Sequence, residues 1–564
     1  MINAIRSHKV RSIVTLILSL FNVLFFFAMR CLWSGTGKVL NSQALPVIFY
    51  VVIISIFIAT LVLIILKKEG WYMWLLMGLS IFWIIGELAI IYLGGSGYLG
   101  FVFRSFGYEL LVAILIYFLI YMIFYYPKSK FKDIKWLKIT SFSAITVLTL
   151  YLCLNIHINY FTYKPVVYAV EENYQIVFST RNYSKVYVTV GNENYYDTYA
   201  GSDNSETYIH KVTVPMSKLD STKKYTINAQ SVYYRGPFGG WTGPTISETK
   251  EFRPVDSSDG LKYYSVSDVH GAIDIAAKSS SYFGDDLDFF VMVGDIVSLL
   301  NNSEDCNAAN ALAYKVTNGE IPCVYARGNH EVKDQKANEL YKYVGSKDEN
   351  FYYYFKLGKV FGIVLDVGED HEDDWWEYYD TAHYEEYRNK QIEWLNNIDP
   401  KLYEDSNYRM VVCHIPLIHI NYRNNFSDFK KTITNSLNKM NIDIHLCGHQ
   451  HEMIPFIPYE AEAYTKLTMK DGYKGDWLGG QLTDFNFLSM MVGKRSNSLE
   501  RAADEFLTFE YSGLATNVDF NKMIETCSWT NSKMNKVVVG DPYSNNMDKE
   551  DYVFDLRNAG VQKV

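Results

Sequence analysis

The distribution of apolar and polar residues divides the chain into three parts. The first part, up to residue 157, is far more apolar than the rest and contains five apolar runs. A helix that crosses a bilayer needs roughly 20 such residues, and each run is about that long. The pattern therefore predicts an N-terminal bundle of five transmembrane α-helices. The predicted spans are 12–33, 45–66, 71–93, 107–126 and 137–157.

The basic residues between these runs predict an orientation. Arg6, Lys9 and Arg11 precede the first run, and Lys67 and Lys68 separate the second from the third. Loops rich in Lys and Arg remain in the cytoplasm. We therefore expect a multi-pass protein of the cell membrane with a cytoplasmic N-terminus. An odd number of crossings places the chain after about residue 158 outside the cell.

Glu87 is the one carboxylate well inside a predicted span. A charged residue at such a position is often functional, but it lies beside a glycine, which favours an interhelix hydrogen bond. The remaining spans show no pattern of an ion pathway. We interpret the region as an anchor and keep a transporter or sensor role as the alternative.

In the second part, 158–256, apolar and polar residues alternate in short runs. Examples are 185–190, 208–214 and 225–229, and turn residues separate them. About seven short strands over this length are typical of a β-sandwich. Leu219 and Tyr225, with the polar residues between them, resemble the tyrosine-corner region of fibronectin type III domains. The pattern predicts a fibronectin III-like spacer or lid with no chemistry of its own.

The third part, 257–564, alternates buried-strand patterns with helical ones. Five of the apolar runs end directly in residues that bind metals. In open α/β sheets, ligands bind at the carboxyl ends of strands, so we expect these side chains to meet at one edge. The runs and the polar residues that follow them are 262–267 with Asp268 and His270, 288–293 with Asp295, 321–326 with Asn329, His330 and Glu331, 408–413 with His414, and 442–447 with His449 and His451.

Charge and cysteine content narrow the possible functions. The net charge of −9 argues against a general nucleic-acid-binding surface. The chain has 7 cysteines without a CxxC spacing, which favours neither a disulfide framework nor a zinc ribbon. Cys323, Cys413 and Cys447 lie in predicted strands, and we expect them to be small buried hydrophobes.

The order of these motifs (DxH, GD, GNHE, H and GHxH) resembles that of the calcineurin-like metallophosphoesterases. The resemblance covers about 260–455 and implies a four-layer α/β sandwich that binds two metal ions. The preceding β region makes the layout similar to that of the purple acid phosphatases. Two features depart from that subfamily: His270 stands where it has glycine, and no tyrosine closely follows Asp295. A tyrosinate-iron site is therefore not expected.

The resemblance also implies roles for individual residues. A hydroxide that bridges two divalent ions of Mn, Fe or Zn would attack the phosphorus, and His330 would donate a proton to the leaving group. Carboxylate and imidazole ligands suit such ions. By motif, one metal is held by Asp268, His270 and His451, the other by Asn329, His414 and His449, and Asp295 bridges both.

Other polar residues near the motifs receive weaker interpretations. For Arg327 we expect a strand-end salt bridge, with phosphate contact as the alternative, and Glu331 is expected to hold a loop or His330. His419 is interpreted as a loop or supporting histidine rather than a substrate contact, and His445 as a core histidine. The acidic run 369–374, followed by two tryptophans, is expected to be a solvated face, with a wall of the substrate cleft as the alternative.

The leading hypothesis is a membrane-anchored, extracellular, metal-dependent phosphatase or phosphodiesterase acting on phosphate mono- or diesters. A rival is a non-catalytic membrane receptor or sensor that uses the same fold. The complete set of ligands argues against that rival, because a non-catalytic copy would tolerate their loss. A second rival is a transporter with a regulatory ectodomain, which the scarcity of charges inside the predicted spans disfavours.

Overall fold

The structure is a computed structural model of the chain. It describes 12–24, 44–65, 72–93, 158–199, 201, 203–236, 239–420, 427–458, 481–497, 508–540, 548–556 and 562–563. The chain divides into two compact units, Met1–Ile158 and Asn159–Val564.

The first unit contains helices with polar contacts between them. The Thr15 hydroxyl donates to the carbonyl of Met73 at 3.4 Å, and Nδ2 of Asn22 donates to the carbonyl of Ser80 at 3.0 Å. These contacts join the first helix to the third. The helices are α1 (12–24), α2 (Ala44–Ile65) and α3 (Tyr72–Leu93).

This unit corrects the membrane prediction. Among the residues that the structure describes, no helix has both the length and the apolar character needed to cross a membrane. The predictions of a transmembrane bundle and of a multi-pass cell-membrane location, with its extracellular catalytic region, are therefore wrong. The predicted spans 107–126 and 137–157, and the side chain of Glu87, lie outside the described residues.

The second unit is built mainly from strands. Its strands are β1 (Phe161–Val170), β2 (Asn173–Val190), β3 (Glu193–Tyr196), β4 (Thr198–Tyr199), β5 (Asp203–Asn204), β6 (Thr207–Pro215), β7 (Lys224–Gly236), β8 (Gly239–Glu251), β9 (Gly260–Val266), β10 (Phe289–Met292), β11 (Cys323–Tyr325), β12 (Tyr353–Leu357), β13 (Val360–Leu365), β14 (Tyr408–Cys413), β15 (His419–Ile420), β16 (Ile444–Cys447), β17 (Ile454–Phe456), β18 (Gln481–Leu482), β19 (Leu488–Met491), β20 (Lys494–Asn497), β21 (Thr508–Asp519), β22 (Ile524–Asn531), β23 (Val539–Gly540), β24 (Asp548–Lys549), β25 (Tyr552–Asp555) and β26 (Gln562–Lys563). Its α-helices are α4 (Met216–Thr222), α5 (Ile273–Ser279), α6 (Ser303–Cys306), α7 (Ala308–Thr317), α8 (Tyr384–Asn396) and α9 (Ser427–Asn438).

Most of these strands form two large sheets. The first has the order β26-β25-β22-β21-β9-β10-β11-β1-β2-β7-β8, with β20 on β21 and both β3 and β6 on β2. The second has the order β12-β13-β14-β16-β19-β17. Strands β9, β10 and β11 are parallel, as are β13, β14, β16 and β19. The carboxyl ends of each parallel set therefore lie at one edge of its sheet.

The alternation of side chains along the second sheet explains how the layers pack. In β14, Met410 and Val412 belong to the hydrophobic core shared with the first sheet, whereas Val411 and Cys413 pack with residues of α8 and α9. Successive residues of a strand point to opposite faces, so this sheet is covered on both sides. The hydroxyls of Tyr263 and Tyr408, which lie on different sheets, meet at 2.9 Å. The result is an α/β sandwich in which two sheets pack face to face and helices cover the outer side of the second sheet.

The β region 158–256, the second part of the chain, joins the first sheet. The first half of β2 pairs with β1 and β6, and its second half pairs with β3 and β7. Tyr168 of β1 lies in parallel register with Cys323 of β11, so the sheet runs on into the third part of the chain. The predicted corner residue Tyr225 donates its hydroxyl to the carbonyl of Gly319 at 2.7 Å, far along the chain. A fibronectin III-like identity for this region stays a prediction.

The C-terminal part supplies strands to the same sheet. Strand β21 lies between β9 and β22 and is antiparallel to both. Its residue Tyr511 accepts a hydrogen bond from the Ser267 amide at 2.9 Å and donates to the Ser267 carbonyl at 2.5 Å. The tail thus supports the backbone next to Asp268.

The cysteines of this unit are core residues. Cys323, Cys413 and Cys447 lie in β11, β14 and β16, and all three are buried with free thiols. Burial raises the pKa of Cys447 to about 12, so its thiol stays protonated. The prediction that these three residues are small buried hydrophobes is confirmed.

Candidate metal centre

Strand ends from both sheets bring the predicted ligands together. Three sets of candidate ligand atoms lie within 4.8 Å of one another: Asp268, His270 and His451; His270, Asp295 and His330; and Asp268, Asp295 and His414. We name Asp268, His270 and His451 the first cluster. We name Asn329, His414 and His449 the second cluster.

The first cluster is held mainly by its backbone. Asp268, His270 and His451 have φ angles of 54°, 48° and 54°, in the left-handed region. Such residues cost of order 1–3 kcal/mol each and concentrate at functional sites. Nε2 of His270 and Nε2 of His451 face each other at 3.3 Å. Oδ2 of Asp268 accepts from the Ser267 hydroxyl at 2.7 Å.

The second cluster is held by hydrogen bonds to groups behind it. Nδ1 of His414 lies 2.7 Å from the carbonyl of Val293, which only accepts, so Nδ1 is the protonated nitrogen. Nε2 of His414 is then the nitrogen that faces the site. Oδ1 of Asn329 and Nδ1 of His449 converge at 3.0 Å.

Asp295 lies between the two clusters. Its Oδ2 is 3.1 Å from Nε2 of His414 and 3.7 Å from Nε2 of His270. Burial alone would raise the pKa of Asp295, but the facing imidazoles of His414, His330 and His270 outweigh it and lower the pKa well below its usual range. The pKa of His414 shows the reciprocal effect: burial lowers it, and Asp295 more than compensates and raises it to about 10. An ionised carboxylate therefore occupies the centre.

His330 is placed differently from the other histidines. Nδ1 of His330 lies 2.8 Å from the carbonyl of Ser298 and must donate to it, so Nε2 is directed towards the site. Nε2 is 3.9 Å from Oδ2 of Asp295, and the side chain is 31% exposed. His330 can thus exchange a proton with solvent or with a bound molecule.

Two glycines allow the strand ends to approach closely. A Cβ on Gly294, where φ is +86°, would lie 2.7 Å from the Cα of Gly328. A Cβ on Gly328 would collide with Asp295 and Glu331. Glu331 fills the space beneath, accepting from the amides of Asp295 at 2.8 Å, Ile296 at 2.6 Å and Gly328 at 2.7 Å. The prediction that Glu331 holds a loop is confirmed.

Arg327 and His445 have structural contacts, and the role of His419 stays a prediction. Arg327 pairs with Asp366 at 2.5 Å and lies over the ring of Phe351, so it forms the expected strand-end salt bridge. His445 is buried against the Ser489 hydroxyl at 2.9 Å, as expected of a core histidine. His419 lies in β15, which pairs with β18.

The acidic run 369–374 is solvated at Glu372 and Asp374, as predicted, but its first two residues turn to the site. Glu369 is buried, accepts from Nδ2 of Asn329 at 2.5 Å and from the Tyr378 hydroxyl at 2.8 Å. Asp370 lies 3.2 Å from Nε2 of His449. Burial would raise the pKa of Asp370, but its hydrogen bond to His449 lowers it to about 2. The position directly after β13, at the same sheet edge as the ligands, was the signal that could have identified both residues.

The aromatic residues that follow the run remain accessible. The rings of His371 and Trp375 stack at 4.2 Å, and Trp376 and Tyr379 are 69% and 82% exposed. His371 also lies 3.6 Å from Asp370. An exposed aromatic surface therefore begins one residue from a group that contacts the second cluster.

The geometry fits divalent metal ions. Nε2 of His414 is buried and lies 3.1 Å from Oδ2 of Asp295, but the two atoms are not aligned as a hydrogen bond, as expected of two groups that would share a metal ion. Two ligands about 2.1 Å from one ion in tetrahedral geometry lie about 3.4 Å apart, close to the 3.3 Å between the Nε2 atoms of His270 and His451. Carboxylate oxygens with imidazoles are a donor set for Mn, Fe or Zn.

Comparison with known families agrees with this chemistry. The sequence model of the calcineurin-like phosphoesterase family matches residues 261–453. Residues 261–453 form a calcineurin-like phosphoesterase domain. The chain is accordingly a hydrolase of phosphoric ester bonds, and the predictions of this domain and this enzyme class are confirmed. Members of this family act with divalent metal ions.

Some solved structures resemble parts of this chain at low sequence identity and low TM-score. The purple acid phosphatase PPD1 from yellow lupin (Lupinus luteus) seeds is 12% identical with a TM-score of 0.41, covering 69% of this chain and 73% of its own. PhoD is 10% identical with a TM-score of 0.40, covering 71% of this chain and 91% of its own. GAP50 of Plasmodium is 14% identical with a TM-score of 0.29, covering 54% of this chain and 93% of its own. A search of curated proteins finds no match.

Proposed function

We propose that this chain hydrolyses phosphate mono- or diesters at a centre of two divalent metal ions. The observation that carries the proposal is the convergence of both clusters on the Asp295 carboxylate, which lies 3.1 Å from His414 and 3.7 Å from His270. The first cluster would hold one ion, the second cluster the other, and Asp295 would bridge them. When bound, paired ions polarise a phosphoryl oxygen and make water a nucleophile near neutral pH.

The protein's own residues would orient the ester and move the proton. The Ser298 carbonyl fixes the His330 ring, so that Nε2 points to the space beside Asp295. From there Nε2 would protonate the leaving oxygen, which otherwise departs as an alkoxide. The buried Asp295 and Asp268 carboxylates keep the site negative and so favour the binding of cations.

The test uses the purified full chain with p-nitrophenyl phosphate and its bis ester, after metal removal and after addition of Mn(II). We expect turnover of at least one ester that depends on Mn(II). In the same assay the His330→Ala variant should hydrolyse the esters more slowly, and His383→Ala is its matched control, because His383 is an exposed histidine before α8. If neither ester is hydrolysed with Mn(II), the proposed activity is wrong.

A further inference from the structure

Two carboxylates directly after β13 contact the second cluster from behind. Glu369 accepts from Nδ2 of Asn329 at 2.5 Å, and Asp370 lies 3.2 Å from Nε2 of His449. The two residues are adjacent in sequence, so one short segment contacts two of the three side chains of the second cluster. The family match implies metal ions at this site but does not say what orients the ligands.

Glu369 fixes the orientation of the Asn329 amide. An ionised carboxylate only accepts hydrogen bonds, so it selects the NH₂ group of Asn329 and turns Oδ1 towards the site. Glu369 is itself held by the Tyr378 hydroxyl at 2.8 Å and by Nζ of Lys333 at 3.3 Å. With these three donors around it, Glu369 has little freedom to release the amide.

Asp370 fixes the tautomer of His449. With a proton on Nε2 facing the carboxylate, Nδ1 of His449 carries a lone pair. That lone pair faces Oδ1 of Asn329, another acceptor, at 3.0 Å. Two acceptors at this distance repel each other unless a cation lies between them. The pair of carboxylates thus presents a nitrogen and an oxygen to one ion.

We propose that Glu369 and Asp370 are positioning residues for the ion of the second cluster, acting through Asn329 and His449. This inference rests on the proposed two-metal function. Loss of an outer carboxylate typically weakens metal affinity about 10–100-fold. The ion of the first cluster should bind much as in the parent, because Glu369 and Asp370 bond to the side chains of Asn329 and His449, whereas His449 meets Asp268 through its backbone amide, at 3.1 Å.

The test is a Mn(II) titration of the full chain in which free Mn(II) is measured by electron paramagnetic resonance. The variants are Glu369→Gln and Asp370→Asn, which keep the shape of each side chain. Asp374→Asn is the matched control, since Asp374 is an exposed carboxylate of the same segment. We expect two bound ions in the parent and the control. In each variant one ion should bind as in the parent and the other about 10–100-fold more weakly.

A second readout separates positioning from a folding defect. The signal of two coupled Mn(II) ions should disappear from the variants at low Mn(II) and return at high Mn(II), which an unfolded protein would not show. Equal affinities in the parent and both variants, or a loss of both ions, would overturn the inference. If two ions bind as described but no ester is hydrolysed, the proposed activity fails and the positioning role stands.

Discussion

The first and second clusters are held in place by different means. All three residues of the first cluster have left-handed φ angles, and nearby side-chain hydroxyls such as that of Ser267 support them. In the second cluster only His449 has a positive φ, at 74°, and the support comes from the Glu369 and Asp370 carboxylates and a backbone carbonyl. A ligand can thus be fixed through its own backbone or through a partner behind it. The residues whose backbone fixes the first cluster belong to the sequence motifs, whereas Glu369 and Asp370, which support the second cluster, lie outside them.

The largest effect should come from Asp295, which belongs to neither cluster and faces both. The Asp295→Asn variant loses the central negative charge and keeps the shape of the side chain. We expect kcat to fall by about 10³-fold or more, equivalent to roughly 4 kcal/mol. The measurement is Mn(II)-dependent hydrolysis of p-nitrophenyl phosphate, with the Asp374→Asn variant assayed in parallel as the control. Retention of more than a tenth of the activity would show that the two clusters work without a shared carboxylate.

The next effect separates proton transfer from metal binding. Removal of Nε2 in His330→Ala should lower kcat by about 10²-fold for an alkyl phosphate, whose leaving group needs a proton. The decrease should be smaller for p-nitrophenyl phosphate, which leaves without one. Mn(II) affinity at both clusters should be unchanged. Equal decreases for the two substrates would exclude His330 as the proton donor.

Metal removal should distinguish the clusters by exposure. The His451 side chain in the first cluster is 38% exposed, whereas that of His414 in the second is 2% exposed. We expect a chelator to remove Mn(II) in two steps, the ion of the first cluster leaving about tenfold faster. Rapid-mixing paramagnetic resonance measures the steps. In Asp370→Asn the two rates should approach each other, and a single step in the parent would mean that exposure does not control release.

The smallest effect tests one hydrogen bond behind the second cluster. Tyr378→Phe removes a donor to Glu369 but leaves Asn329 and Lys333 in place. The net contribution of a hydrogen bond is about 0.5–1.5 kcal/mol, so the Mn(II) affinity of the second cluster should fall by about 2–10-fold. Tyr379→Phe, at an exposed ring, is the control. No change in the Tyr378 variant would indicate that the other two donors suffice to hold Glu369.

The sequence predicted the meeting of the ligands because each follows an apolar run that becomes a parallel strand. His414 follows β14 and His449 follows β16. Because neighbouring parallel strands end at the same edge of a sheet, the two side chains lie close together. The need for a glycine at position 328 could not be predicted in this way, because it arises from the approach of Asp295 and Glu331 to its backbone.

The burial of charged residues does not follow from the apolar periodicity that identifies strands. Glu369 stands in a run of six residues without apolar periodicity, and its burial depends on Asn329 and Lys333, which follow a different strand.

The register between β1 and β11 has a consequence for how the chain can be divided. Strand β10 pairs with β11 on one side, and β1, which precedes it by about 150 residues, pairs on the other. Contacts so distant in sequence slow folding, because a long loop must close before they form. A fragment that begins at residue 257 would expose β11 as an open edge, and open edges recruit strands from other chains. The phosphoesterase domain is therefore a unit of chemistry whose folding depends on the β region before it.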